Sequence, residues 1–374
     1  MRNTANLSIL FLFVLSALPA FAQHQQVFYV GHSLSDQIPD MCKSLSDDHA
    51  QVSMDWRYQW IPGAPLRWQW QRMAAQDYNG NPPHYYGFYH STQGLPSGQF
   101  DVLVLTESVP RTYAPWGIEE TYLYADSFYL FATQYRPDIR VFLYEVWHCL
   151  KSGTPTGCDW DTDASPWRQR LDDDLPMWES AVEYLNQKYQ PEIPVCLIPA
   201  GQGLARLHDA IEAGTVPGLQ SIGDLFSDDI HLTDQGKYFV ACIHFAMIHN
   251  TSPVGLTHQT QVWWGGDFDA PSPALAARLQ ELALETVLEY PGTCYQDGPV
   301  ALDESVSDAT LRLWPNPVRE VLRLDYPGPD RSFEISDMLG RWVARGFGRE
   351  MDVRHLPPGA YLLRMGQQSA MFLR

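Results

Sequence analysis

The apolar residues of the chain gather in short runs, and longer stretches of helical periodicity separate them. Gln26 to Val30, Asp101 to Leu105, Arg140 to Tyr144 and Pro194 to Ile198 are dominated by Val, Leu, Ile and aromatic residues with little polar alternation. Runs of this kind predict strands buried on both faces. Between and after them, Asp40 to Ser46, Glu119 to Thr133, Leu175 to Lys188, Leu204 to Ala213, Gln235 to His249 and Ala274 to Val287 predict helices. Strand alternating with helix predicts an α/β architecture, a parallel sheet with helices on both faces. Ligands of such sheets sit beyond the carboxyl ends of the strands. The residues just after each strand are therefore where chemistry is expected.

The pattern changes near residue 300. Val321 to Leu324, Phe333 to Ile335 and Ala360 to Arg364 predict short β-strands, punctuated by Gly328, Gly340 and Pro357-Pro358-Gly359. A small C-terminal β-sandwich is the expectation. Charge changes at the same place. Residues 23–309 carry 14 Lys and Arg against 37 Asp and Glu, a net of −23, whereas residues 310–374 carry 10 Arg and 7 acids, a net of +3. The acidic, polar stretch Asp303 to Asp308 between them reads as a linker. The net charge of −19 over 374 residues argues against a nucleic-acid partner and against an anionic membrane surface.

The first 22 residues have their own signature. Arg2 precedes an apolar run from Leu7 to Leu18, and Ala20-Phe21-Ala22 offers a small-x-small cleavage site. This is the pattern of a secretory signal peptide, and no later stretch approaches the ~20 apolar residues of a transmembrane helix. The expected boundaries are residues 1–22 for the signal, 23–298 for the large domain, 299–309 for the linker and 310–374 for the tail. Export places the six cysteines in an oxidising compartment. Cys149 and Cys158 flank a short Gly- and Pro-containing loop and are the expected pair; the other four stay unassigned. No cysteine or histidine spacing suits a structural zinc, so no metal or cofactor is expected.

Three blocks of the tail stand in a recognisable order: Leu313-Trp314-Pro315-Asn316-Pro317, Asp337-Met338-Leu339-Gly340-Arg341 and Leu356-Pro357-Pro358-Gly359-Ala360-Tyr361. They resemble the C-terminal sorting domain of type IX secretion. That resemblance implies export across the outer membrane of a Bacteroidetes-type bacterium, with the type IX machinery as partner.

The chemistry of the large domain is expected at two distant points. Gly31-His32-Ser33-Leu34 follows the first strand and puts a serine on a tight strand-to-helix turn. Asp228 and His231, within Phe226 to Gly236, stand three apart before a helix. That spacing lets a carboxylate orient an imidazole, and an oriented imidazole is the base a serine nucleophile needs. Together they resemble the SGNH/GDSL hydrolases over about residues 26–250. The resemblance implies a three-layer α/β/α flavodoxin-like fold and a triad of Ser33, His231 and Asp228. An α/β-hydrolase elbow is excluded, because position 35 is Ser where Gly-x-Ser-x-Gly needs glycine. The resemblance also implies an oxyanion hole made by the N–H of Ser33 and of Gly63. The family's third donor, an asparagine after the next strand, is missing; Thr106 or a protonated Glu107 stands in that region.

Further residues are expected at the site by position. His148 follows the third predicted apolar run, Arg140 to Tyr144, and is a candidate substrate contact with Glu107 and Trp68. Trp56, Tyr58, Trp60, Trp68 and Trp70 surround Gly63 and offer flat faces for stacking on sugar rings. Asp159, Asp161 and Asp163 resemble a calcium loop, but position 170 is Arg, which excludes an EF-hand. The expected activity is removal of acetyl or other short acyl groups from carbohydrate by a secreted SGNH-type serine esterase. The alternatives are a non-catalytic carbohydrate-binding surface protein on the same scaffold and an acyltransferase with the same triad.

Overall fold

The computed structural model describes residues 23–71, 84–111, 117–153, 157–158, 160–292, 294–295, 311–326, 331–337, 342–365 and 368–374. The expected signal peptide, the linker 299–309, Asp159, Gly328 and the Met338–Arg341 part of the tail motif lie outside these residues. The chain divides into two compact units, one up to Pro299 and one from Val300.

The first unit is built on five strands, β1 (Gln23–Gly31), β2 (Val52–Trp60), β3 (Val102–Thr106), β4 (Arg140–Tyr144) and β5 (Cys196–Ile198). All neighbours are parallel, in the order β2-β1-β3-β4-β5. This is the flavodoxin-like order, whose direction of winding reverses between β1 and β3. Helices α1 (Ile38–Asp48), α2 (Leu66–Gln71), α3 (Ile118–Tyr135), α4 (Trp167–Tyr189), α5 (Ala200–Glu212), α6 (Asp234–His249) and α7 (Pro273–Glu289) cover the sheet. Because right-handed crossovers leave β1 and β3 in opposite directions, α1 and α3 fall on opposite faces. Helix α6 packs on α1, and α4 packs on α3. The carboxyl ends of β1 and β3, flanking the reversal, are the floor of the expected site.

The elements form for local reasons. Strands β3 and β4 are buried along almost their whole length, as their unbroken apolar runs require. Helix α1 buries Ile38, Met41, Cys42 and Leu45, an i, i+3, i+4, i+7 stripe, and starts with a proline in its first turn. Two departures from the sequence reading have clear causes. Strand β2 was not expected, yet Val52, Met54, Trp56 and Tyr58 alternate inward with period two. Trp56 and Tyr58 are thus buried core residues and not sugar-stacking faces. Helix α4 begins at Trp167, eight residues before the predicted start at Leu175. Trp167, Arg170 and Leu171 are buried on its first turns, and that burial carries the helix through Pro176.

The Cys149–Cys158 disulfide is present, and a second joins Cys196 to Cys294. Cys42 and Cys242 are free and buried.

The second unit has two antiparallel sheets. One contains β6 (Arg312–Trp314), β7 (Val321–Asp325) and β10 (Glu350–Asp352); the other contains β8 (Ser332–Asp337), β9 (Trp342–Phe347), β11 (Ala360–Met365) and β12 (Gln368–Leu373). Leu322 and Leu324 of the first sheet share one core with Phe333, Ile335, Leu363 and Phe372 of the second, which makes a small sandwich. The Asn316 side chain of the opening motif accepts the Leu373 N–H at 2.9 Å, tying the start of the unit to its last strand.

Candidate active site

Ser33 opens a single 3-10 turn, Ser33–Ser35, directly after β1. The turn is held from behind. Tyr58 donates to the His32 carbonyl at 2.9 Å, Ser35 Oγ donates to the same carbonyl at 3.1 Å, and Tyr144 donates to the Leu34 carbonyl at 3.1 Å. His32 is turned inward. Its Nδ1 accepts the Leu34 N–H at 3.3 Å, so its proton is on Nε2, which donates to the Glu107 carbonyl at 3.2 Å. Burial lowers the pKa of His32, in keeping with this neutral tautomer. Gly31 is needed for the approach: a Cβ there would lie 2.3 Å from Ser35 Oγ and 2.7 Å from Thr106 Oγ1.

The second point of chemistry arrives on the turn before α6. Asp228 Oδ1 accepts the N–H groups of Ile230 (2.8 Å) and His231 (2.7 Å), and its Oδ2 lies 2.7 Å from His231 Nδ1. His231 Nε2 lies 2.9 Å from Ser33 Oγ. With Nδ1–H donated to Asp228, Nε2 is left to accept the serine hydroxyl proton. Burial pushes the Asp228 carboxyl up, but the His231 and Ile230 bonds outweigh it and hold the carboxyl below its ordinary value. Three residues spread over 198 positions thus form one hydrogen-bonded line, Asp228, His231, Ser33. The line is open to solvent: the His231 side chain keeps 40% of its surface.

Two main-chain donors face no partner. Among the described residues neither the Ser33 N–H nor the Gly63 N–H donates to any group. Gly63 is exposed, with φ of +60° and open space around it.

Neither candidate for the third donor is available. Thr106 is wholly buried, and its hydroxyl donates inward to Ser35 Oγ at 3.3 Å. Glu107 is also buried, and its carboxylate only accepts: Oε1 takes the Leu66 N–H (3.1 Å), the Ser108 N–H (2.8 Å) and the Arg111 guanidinium, and Oε2 takes the Thr121 hydroxyl (2.9 Å). With both oxygens taken by these donors, the Glu107 side chain is engaged within the fold and not with a substrate. It clamps the start of α2 to α3.

His148 is likewise withdrawn from substrate. It is wholly buried, its Nδ1 accepts from Arg170 at 3.1 Å, and its Nε2 lies 2.8 Å from the Asp174 carboxylate. Arg170 in turn makes a two-point ion pair with Asp161, at 2.8 and 3.1 Å. That pairing also occupies the acidic loop once compared with a calcium site, and among the described residues no three His, Cys, Asp or Glu side chains converge as metal ligands. Of the aromatic group around Gly63, Trp60 and Trp70 are partly buried, and Trp70 stacks on Phe88 at 5.2 Å. Trp68, on α2, is the exposed one, at 42%.

The tail supplies the firmest comparison. Its residues 312–373 match the family described as Secretion system C-terminal sorting domain. The tail is a sorting domain. It marks the chain for delivery across the outer membrane, to the cell surface or the medium, by the type IX machinery. No helix among the described residues is long and apolar enough to cross a membrane.

For the rest of the chain the likenesses are structural. A DUF4886 family protein from Bacteroides uniformis is 12% identical with a TM-score of 0.47, over 71% of this chain and 96% of that one. A putative GDSL-like lipase from Parabacteroides merdae is 12% identical with a TM-score of 0.38, over 61% and 96%. A carbohydrate esterase family 3 protein from Talaromyces cellulolyticus is 12% identical with a TM-score of 0.35, over 59% and 94%. No curated protein matches the chain in sequence.

Proposed function

We infer that the protein is a secreted serine esterase of SGNH type, acting on acetyl or other short acyl esters of carbohydrate. One observation carries the reading: the unbroken line from Asp228 through His231 to Ser33 Oγ, with contacts of 2.7 and 2.9 Å. Ser33 Oγ attacks the ester carbonyl carbon while His231 Nε2 takes its proton. Asp228 stabilises the imidazolium through Nδ1–H. The carbonyl oxygen becomes an oxyanion, received by the N–H groups of Ser33 and Gly63. Collapse expels the alcohol, which leaves with the proton from His231. Water, deprotonated by the same imidazole, then releases the acid and restores Ser33.

The open position of His231 and the exposed Trp68 favour a small acyl group on a bulky polar carrier. Export by the sorting domain puts the protein where such glycans are met. One observation favours the second reading, a carbohydrate-binding protein that does not turn over: among the described residues no side-chain donor is placed to complete the oxyanion hole. The test is hydrolysis of p-nitrophenyl acetate and a longer-chain homologue, beside Ser33→Ala. Turnover of acetate that drops at least ~10³-fold in the variant is expected. Equal inactivity of both proteins sinks the esterase and leaves glycan binding.

A further inference from the structure

The turn that carries Asp228 and His231 is held by two sets of bonds. One is local: Asp228 takes the N–H groups of Ile230 and His231, and Ser227 donates its N–H (2.8 Å) and hydroxyl (3.1 Å) to the His231 carbonyl. The other comes from the segment after β4. The indole N–H of Trp147 donates to the Ile230 carbonyl at 2.7 Å, and the Leu150 N–H donates to the Asp229 carbonyl at 2.7 Å. These two bonds fix the peptide planes on either side of Ile230, and the second plane leads directly into His231. Without them the carbonyls of Asp229 and Ile230 would have only solvent to face, and the local bonds alone would set where the imidazole points.

The segment 147–150 is itself fastened from the opposite side. Cys149 is bonded to Cys158. The loop between them closes further through Cys158 N–H to the Lys151 carbonyl (3.0 Å) and Gly153 N–H to the carbonyls of Cys158 (3.0 Å) and Asp161 (2.9 Å). Arg170 joins Asp161 to His148, and Trp167 donates to the His148 carbonyl at 3.0 Å. A buried ion network and a disulfide therefore brace four residues whose outward bonds land on the Asp228–His231 turn.

We propose that Trp147 is a positioning residue for His231, and that the Cys149–Cys158 disulfide, with the Arg170 network, keeps it in place, so that the aim of the base depends on a covalent bond outside the turn. The proposal rests on the esterase reading for its kinetic consequence, though not for its structural one. Trp147→Phe keeps a buried ring and removes the donor. Cys149→Ala with Cys158→Ala opens the loop and leaves the Cys196–Cys294 bond alone. Trp178→Phe, a buried tryptophan of α4 that makes no bond to the turn, is the packing control.

Two readouts separate positioning from general stability. The first is the split of kcat from KM on p-nitrophenyl acetate: kcat falls about tenfold in both test variants, with KM within about twofold. The second is the downfield proton resonance of His231 Nδ1–H, shared with Asp228, which broadens or vanishes in both and persists in Trp178→Phe. Wild-type kcat and an unchanged resonance in the test variants would overturn the proposal. An equal fall in Trp178→Phe would overturn it too, by tracing the loss to packing. Should the wild-type protein show no Ser33-dependent turnover, the esterase reading fails by itself. The resonance then still decides the positioning claim, because it is read without substrate.

Discussion

Thr106 ends the third strand and Glu107 follows it, at the place where a third oxyanion donor would stand, and both side chains are committed elsewhere. Thr106 sits opposite Tyr144 in the register and turns its hydroxyl to Ser35, in the turn that Ser33 opens. Thr106→Val should therefore lower kcat by less than about threefold, against the 10²–10³-fold cost of losing a true oxyanion donor. Glu107→Gln should act on stability, because it weakens the charge-assisted bond to the buried Arg111, which keeps its second carboxylate, Glu120, at 3.6 Å. A loss of about 2 kcal/mol, read by urea unfolding, is the expected size. The three residues of the hydrogen-bonded line could be singled out because their signals are local: a serine one turn past a strand, and a carboxylate three residues before a histidine. The direction of a side chain at a strand end is not local. It depends on register against β4 and on the gap left by Gly31, so Thr106, Glu107 and His148 could be placed near the site by position but not aimed. Tyr58, Tyr144 and Trp147, which hold the two turns, gave no signal, since each acts on a backbone carbonyl at least 26 residues away.

Strand β4, the turn after it and helices α1 and α6 enclose buried ionisable groups that tie stability to pH. Burial pushes Glu145, just past β4, up to about 8 from its ordinary 4.5. It pushes Asp40, in the first turn of α1, up to about 7. Each holds its proton in the folded chain after the unfolded chain has lost it, so each lowers stability as pH rises toward its folded value. Burial pushes His244 and His249 of α6 down to about 3. Unfolded histidine takes up a proton below about 6.5, so their contribution is lost as pH falls from there. Stability should be nearly level between about pH 4.5 and 6.5, where the opposing slopes offset, and should fall on both sides. Glu145→Gln should remove ~2 kcal/mol of the decline between pH 6 and 8, measured by urea unfolding at each pH. The buried strands β3 and β4 were readable from their apolar runs, while β2 was missed because two of its inward positions, Trp56 and Tyr58, are residues that also read as binding faces. The early start of α4 was hidden by Pro176, which normally marks a first turn.

The chain joins an acidic α/β unit to a cationic sandwich, and each has its own core. Ser33, Asp228 and His231 all lie in the first unit, so the proposed esterase activity should not need the sorting domain. A chain ended after Pro299 should keep the kcat/KM of the full protein on p-nitrophenyl acetate, yet stay inside the outer membrane when expressed in a cell with type IX machinery. Surface fractionation checks the second outcome, and a loss of turnover would contradict the first. The opposite charges and the three tail motifs made this division readable from sequence alone, because composition and motif order do not depend on register. The same export gives a meaning to Cys42 and Cys242. Six cysteines admit 15 complete pairings, and a chain entering an oxidising space meets all of them while unfolded. Once α1 and α6 have packed, burial raises both thiols above their ordinary range, Cys242 to about 12, and the thiolate that attacks a disulfide is no longer formed. The folded core thus acts as an editor, withholding two of the six sulfurs from exchange and leaving only the four that native geometry has already matched.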